Sequence, residues 1–298
     1  MKPFITSLLL ATATVAGAHG IPIGVSVAND SLTVSHDDNG YGPSIFGQID
    51  EESDPIGPTF LSGIGNALLW GMPGIDITGM AGTASLVLEP VAYELDGSVQ
   101  TLWYWDSLSR RVTPTPQGTS LVLQLYDRDV VLSNSGPVAP MTLSETVAGE
   151  TGYHNHSLVD FAMPYVNGFN LGLYGFFARF TSNGYAPSEP FLVTFNAGAA
   201  YEDLAPASEA MWLAANPGDY TLDGVVDAAD YDLWNANYGD TPAMAQTAAD
   251  GNGDGVVDAA DYTLWRDNLS NAAVSVPEPG AIVSAVVFAL SLATTRRS

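Results

Sequence analysis

Two stretches toward the C-terminal end of the chain carry aspartates at one repeated spacing. They are DYTLDGVVDAAD, from Asp219 to Asp230, and DGNGDGVVDAAD, from Asp250 to Asp261, the second offset by 31 residues. Positions 1, 5, 9 and 12 are Asp219, Asp223, Asp227 and Asp230 in the first stretch and Asp250, Asp254, Asp258 and Asp261 in the second, with Thr221 or Asn252 at position 3. Such alternation presents oxygens inward from a tight curl of chain, which is what a hard cation with about six to eight oxygen ligands at roughly 2.3–2.6 Å requires. Gly224 and Gly255, at position 6, permit the sharp turn that a Cβ would resist. The carbonyls of Val225 and Val256 supply position 7, and Asp227 and Asp258 ligate directly or through water. Val226 and Val257 are expected to point into a small apolar core. Calcium is the cation this spacing suits, one ion per loop.

The spacing is that of an EF-hand-type loop, with one departure: position 12 is Asp230 or Asp261 where glutamate is usual. A carboxylate one methylene shorter draws the following helix closer or ligates less completely. Loop 2, with Asn252, is expected to bind more tightly than loop 1, with the neutral hydroxyl of Thr221. Each loop runs into a helical pattern, Tyr231, Trp234 and Tyr238 after the first and Tyr262, Trp265 and Leu269 after the second, so each helix has one apolar face. Packing explains these aromatics better than a ligand box. Two loop-helix units with Asp at position 12 resemble a type I dockerin domain over Pro217 to Ser270. The resemblance implies a calcium-folded module that binds a cohesin-like protein module. The family reads its partner partly at positions 10 and 11, which here are Ala228 and Ala229, and Ala259 and Ala260, in place of the usual Ser or Thr.

Other side chains could do chemistry. In a strand His154 and His156 would face one side, as two ligands of Zn2+ or Cu2+ must. His36 and His19 are the other histidines, and an exposed strand end is the plainer reading. A chain beginning at His19 could chelate copper through its imidazole and free amine, as lytic polysaccharide monooxygenases do, although a coincidental cleavage context explains it better. Trp103 and Trp105 share one face of a strand, as a sugar-stacking platform or, better, as part of the core. Glu89, Glu94, Asp106 and Asp127 qualify by type alone as carboxylates for glycoside hydrolysis. The sequence holds no GxSxG, HExxH or glycine-rich phosphate loop.

The elements that must position these residues are mostly strands. From His19 to about residue 200, short alternating or β-branched runs are broken by Gly, Pro, Asn and Asp. They include Ala84 to Tyr93, Val99 to Trp105, Ser120 to Tyr126, Leu171 to Thr181 and Phe191 to Phe195. This punctuation predicts an all-β sandwich, jelly-roll-like, over residues 19–200. A helical linker is expected over 201–216, centred on Ala207 to Ala215, then the dockerin-like module over 217–270. The main domain also loosely resembles the choice-of-anchor β-domains of bacterial surface proteins, through the strand His19 to Val25, Leu69-Trp70-Gly71-Met72-Pro73 and the His154-Asn155-His156 run.

The two ends bound the destination. Lys2, the apolar run Phe4 to Val15 and Ala16-Gly17-Ala18 read as a secretory signal peptide over residues 1–18. Residues 271–298 hold Val276-Pro277-Glu278-Pro279-Gly280, the apolar stretch Ala281 to Ala293, and Arg296-Arg297. This tail resembles the PEP-CTERM sorting signal, which implies recognition by an exosortase-type processing enzyme; a plain C-terminal membrane-anchor helix is the alternative. The net charge is −25, and the sole lysine is Lys2. Such a chain has no electrostatic means of holding nucleic acid. Absence of cysteine excludes disulfides and thiol catalysis. The sequence therefore points to an exported cell-surface or matrix protein, non-catalytic, that docks through a calcium-binding module. The alternatives are a dockerin-borne polysaccharide-degrading glycosyl hydrolase or carbohydrate-binding protein, and a zinc- or copper-binding surface protein.

Overall fold

The computed structural model describes residues 23–35, 45–47, 59–60, 67–71, 75–81, 83–117, 119–125, 128–132, 140–144, 153–155, 160–164 and 171–269. The chain divides into two units, Met1–Asn268 and Leu269–Ser298, and every described element lies in the first. The expected signal peptide and sorting tail lie outside the described residues. Among the described residues, no helix is long and apolar enough to cross a membrane.

The described residues are mostly strands with few helices. In chain order the strands are β1 (Ile23–Ala28), β2 (Ser31–Ser35), β3 (Ile45–Gly47), β4 (Thr59–Phe60), β5 (Ala67–Gly71), β6 (Ile75–Ile77), β7 (Leu86–Val91), β8 (Tyr93–Leu95) and β9 (Ser98–Gln100). They continue with β10 (Trp103–Asp106), β11 (Arg111–Thr113), β12 (Leu121–Leu125), β13 (Arg128–Leu132), β14 (Met141–Ser144), β15 (Tyr153–Asn155), β16 (Asp160–Pro164), β17 (Gly172–Thr181) and β18 (Phe191–Ala197). A 3-10 turn at Tyr201–Asp203 leads into α1 (Leu204–Ala215), followed by α2 (Ala228–Asn237) and α3 (Ala259–Asn268).

The largest sheet organises the rest. Its order is β11-β10-β17-β18-β3, and the ten-residue β17 pairs along one edge first with β10 and then with β7, which carries β14. Two further sheets run β15-β6-β1-β2 and β13-β12-β16-β5-β4, with a hairpin of β8 and β9. Pairing is antiparallel except for β1 with β6 and β18 with β3.

Near-continuous apolar runs in β10, β17 and β18 have a simple cause: this sheet is covered on both faces. Alternate side chains point opposite ways from a strand. Tyr104, Tyr174, Phe176, Phe180, Phe191, Val193 and Phe195 join one buried cluster with Ile23, Val25, Leu86 and Leu88. Trp103, Trp105, Leu173, Phe177 and Leu192 point the other way, into a second cluster built with α1 and the two loops. An ordinary antiparallel sheet with one wet face would alternate apolar and polar residues instead.

Helix α1 is the lid on that second face. Its sequence LAPASEAMWLAA is rich in helix formers, with Pro206 confined to the first turn, where its missing N–H costs no helical bond. Leu204, Ala207, Ala210, Met211, Trp212 and Leu213 are buried. Gly175 allows the close approach, since a Cβ there would sit 3.2 Å from the Met211 sulfur. The hydroxyls of Thr194 and Ser208 meet at 3.3 Å across the buried seam. Phe177 sits at the junction, with ring centroids 5.5 Å from Trp103 and 5.6 Å from Trp212. Phe177→Ala is expected to cost about 3–5 kcal/mol in urea-unfolding stability, because the cavity would lie between two rigid layers. A cost below about 1 kcal/mol would mean the seam is loosely packed.

Candidate metal centre

The two repeats fold alike. In each, the buried position-1 aspartate accepts backbone N–H bonds from positions 5 and 6. For Asp219 these come from Asp223 at 3.2 Å and Gly224 at 2.8 Å, and for Asp250 from Asp254 at 3.2 Å and Gly255 at 3.0 Å. Gly224 and Gly255 take φ values of 89° and 92°, the left-handed turn that the sequence pattern requires. Asp223 and Asp254 accept from the N–H of Val225 and Val256. Those two valines turn their side chains outward, 40% and 39% exposed, whereas Val226 and Val257 point inward at 8% and 0%.

The loop ends are tied to the helices. Asp227 caps α2 by accepting from Ala229 N–H, and Asp230 returns to the Asp227 N–H in a capping box. Asp258 and Asp261 make the equivalent bonds at α3. The second oxygen of Asp230 accepts from Thr221 N–H at 2.8 Å, and that of Asp261 from Asn252 N–H at 3.0 Å. The position-12 carboxylates are therefore drawn into the loop mouth, with 0% of either residue exposed.

The repeats also brace each other. Trp234 donates its indole N–H to the Asp258 carbonyl at 2.9 Å, and Trp265 donates to the Asp227 carbonyl at 2.6 Å. Tyr220, at position 2 of loop 1, reaches across to the Asp261 carbonyl at 2.7 Å. Its partner position in loop 2 is Gly251, where a Cβ would meet the Tyr220 hydroxyl at 2.8 Å. Between the helices Tyr231, Trp234, Tyr262 and Trp265 stack at centroid distances of 5.2–6.2 Å. These aromatics pack the two units together, as their helical spacing predicts.

Charge is concentrated where water is scarce. Burial pushes the Asp219 carboxyl up to about 6; Asp230 and Asp223 add to the rise, and the Trp212 and Gly224 donors oppose it. Burial also raises Asp230 and Asp261, against the backbone donors that hold them. Among the described residues, no group of three or more His, Asp or Glu side chains forms a cluster in metal-holding geometry. The aspartate oxygens are instead engaged by the loops' own N–H groups. What fits a hard cation is the chemistry of the donor set: all-oxygen, four carboxylates per loop, of which those at positions 1 and 12 are buried and those at positions 5 and 9 are more open to solvent. The Thr221 hydroxyl at position 3 is buried beside the Asp230 carboxyl and helps to offset the rise that burial imposes on it. Asn252, its counterpart, is engaged with Asp254 at 2.9 and 3.0 Å.

The loops differ in what holds position 1 from outside. Asp250 accepts a further backbone bond from Gln246 at 3.3 Å, whereas Asp219 accepts the Trp212 indole N–H of α1 at 2.7 Å. Glu209, one turn earlier on α1, accepts from Ala248 N–H at 2.7 Å. Neither Trp212 nor Glu209 carried a signal in the sequence, because their partners are set by how α1 lies on the sheet.

The remaining candidates fall elsewhere. His154 lies in β15, its backbone opposite Asp76 of β6, while His156, His36, His19 and Asp127 lie outside the described residues. Trp103 and Trp105 do share a face, and that face is core, 1% and 0% exposed, so neither ring is open to a sugar. Glu89 is paired with Arg179 at 2.8 Å, and Glu94 is exposed on the β8–β9 hairpin. Asp106 organises a turn, accepting from Leu108 and Ser109; burial pushes its carboxyl up, but these donors outweigh burial and leave it below the usual range.

Compared with known proteins, the chain matches no family model, no curated protein and no solved structure. The geometry of the loops can be tested at Gly218, which precedes loop 1 with φ 94°. A Cβ there would lie 2.7 Å from the Trp265 Cα, which is backbone and cannot swing aside. Gly218→Ala is expected to destabilise the chain by more than about 1 kcal/mol in chemical denaturation. A neutral result would show that α3 does not lie against loop 1.

Proposed function

We propose that the chain is an exported cell-surface or matrix protein, non-catalytic, whose loop-helix pair is a dockerin-like module that folds around two calcium ions and docks a cohesin-like protein module. One ion would be held by Asp219, Thr221, Asp223, the Val225 carbonyl, Asp227 and Asp230. The other would be held by Asp250, Asn252, Asp254, the Val256 carbonyl, Asp258 and Asp261. Bound calcium supplies the positive charge that these carboxylates lack among themselves. In this reading the strands form a jelly-roll-like β-sandwich that carries the module. A signal peptide exports the chain, and the tail is handled by an exosortase-type enzyme at the surface.

The observation that carries the reading is the pairing itself. Two dodecapeptides with the same residue spacing adopt the same hydrogen-bond wrap, glycine turn and helix cap. Of the carboxylates that qualify by type for glycoside hydrolysis, Glu89 is ion-paired and Asp106 holds a turn.

Chelation of calcium from the full chain is expected to reduce helical circular dichroism, as α2 and α3 lose the caps that Asp227, Asp230, Asp258 and Asp261 form only when their mutual repulsion is relieved. Readdition of calcium should restore it, and magnesium should do so poorly, because it prefers a tighter octahedral shell. Helical signal unaffected by chelation would overturn the calcium reading.

A further inference from the structure

The bond from α1 to a loop 1 carboxylate has no counterpart at loop 2, where α1 instead bonds the entry, Glu209 accepting from the Ala248 N–H. Asp219 is fully buried, and one of its oxygens takes both the Gly224 N–H and the Trp212 indole N–H. Trp212 lies outside the dodecapeptide, on a helix that belongs to the sheet's second core. Its ring packs on Phe177 of β17, and the residue as a whole is 1% exposed. One side chain therefore touches both the sheet and a carboxylate of the loop.

Two neighbours reinforce the link. Leu222, at position 4 of loop 1, adopts φ 62°, where loop 2 has Gly253 at 71°. Left-handed backbone costs a residue with a Cβ about 1–2 kcal/mol. Burial of the Leu222 side chain in the second core, 8% exposed, contributes about 1.5–3 kcal/mol and offsets that cost. Loop 1 is thus bent into a conformation that the sheet-side core sustains. Tyr220, beside the ligand Asp219, is also buried in that core.

We infer that Trp212 is a positioning residue for the cation site of loop 1, supplied from α1, and that through it cation binding in loop 1 and the packing of α1 on the β-sheet form one coupled equilibrium. This inference rests on the calcium reading of the loops. A donor that fixes one carboxylate oxygen restrains the whole side chain, here with the other oxygen turned to the loop's own Asp223 N–H, the orienting role that outer hydrogen bonds play around metal ligands generally. A cation that binds only the packed arrangement must stabilise it. The module would then be a calcium-dependent part of the β-domain's own cover.

Hydrogen exchange read by mass spectrometry on the full chain, titrated with calcium chloride, follows loop 1, loop 2 and the strands β17 and β18 in separate peptides. In the wild type, calcium should slow exchange in both loops and also in α1, β17 and β18. Trp212→Phe keeps an aromatic ring but removes the donor. It should weaken calcium binding at loop 1 by about tenfold or more, leave loop 2 nearly unchanged, and abolish the calcium-induced slowing in β17 and β18. Equal losses at both loops, or no loss at loop 1, would overturn the inference. Should Trp212→Phe not fold, Asp219→Asn decides, since its amide oxygen can still accept the indole bond while the charge is gone. Calcium should then no longer slow β17 and β18, and slowing equal to wild type would overturn the coupling. Calcium uptake at neither loop of the wild type would overturn the calcium reading and this inference together. Uptake at both loops with β17 and β18 unaffected would overturn the inference alone.

Discussion

A sheet with two apolar faces must be covered twice, and this requirement arranges the rest of the described chain. The first face of β10, β17 and β18 is covered by other strands. The second carries Trp103, Trp105, Leu173, Phe177 and Leu192, large side chains whose exposure would cost about 1.5–3 kcal/mol each. Helix α1 covers them directly, and the residues that flank and form the loops, Tyr220, Leu222, Met244, Ala249 and Val257, close the edge of the same cluster. The acidic repeats are thereby joined to the β-domain through a common core.

That arrangement places carboxylates where their charge is hardest to sustain. Asp219, Asp230, Asp250 and Asp261 are fully buried. Burial pushes the carboxyls of Asp219, Asp230 and Asp261 upward. Backbone N–H groups relieve part of the cost, each charge-assisted bond contributing about 1.5–3 kcal/mol, and the helix N-termini at Asp227 and Asp258 add favourable field. The like charges that face one another within each loop are relieved by no basic side chain of the loops or of their helices, where Arg266 is paired with its neighbour Asp267. The divalent cation proposed for each loop would satisfy this balance. The loops meet the condition differently. Loop 2 has Asn252 in place of a hydroxyl and holds Asp250 by backbone alone, while loop 1 has the weaker position 3 but is held by Trp212 and Leu222 from the sheet side.

The repeats were legible because their information is local: oxygen spacing, a glycine at position 6 and a helix that starts within the loop are all written within twelve residues. Val226 and Val257 were readable as inward for the same reason. The strands Leu171 to Thr181 and Phe191 to Phe195 were legible as β-rich runs, and β17 and β18 follow them closely. Their continuous apolar character, GLYGFFARF and FLVTFNA, reflects burial on both faces, which a period-two reading for a half-buried strand does not capture. Helix α1 begins at Leu204, three residues before the run Ala207 to Ala215 suggests, because Pro206 can sit inside a first turn. The bonds from Trp212 to Asp219 and from Tyr220 to Asp261 were not legible, since each joins elements whose relative placement depends on tertiary packing. Leu222 was hidden for a different reason: a leucine in left-handed backbone contradicts local propensity, and only the buried cluster around it explains why the chain tolerates it.

The most direct measurement of the central claim is a crystal structure of the chain grown in calcium, with the ions located by their anomalous scattering. The account predicts two ions, one within each loop, each with aspartate oxygens and the Val225 or Val256 carbonyl at about 2.3–2.6 Å. It also predicts that Trp212 remains bonded to Asp219 with α1 seated on the sheet. Loops free of calcium at saturating concentration, with Asp219 and Asp250 bonded only to protein N–H groups, would contradict it.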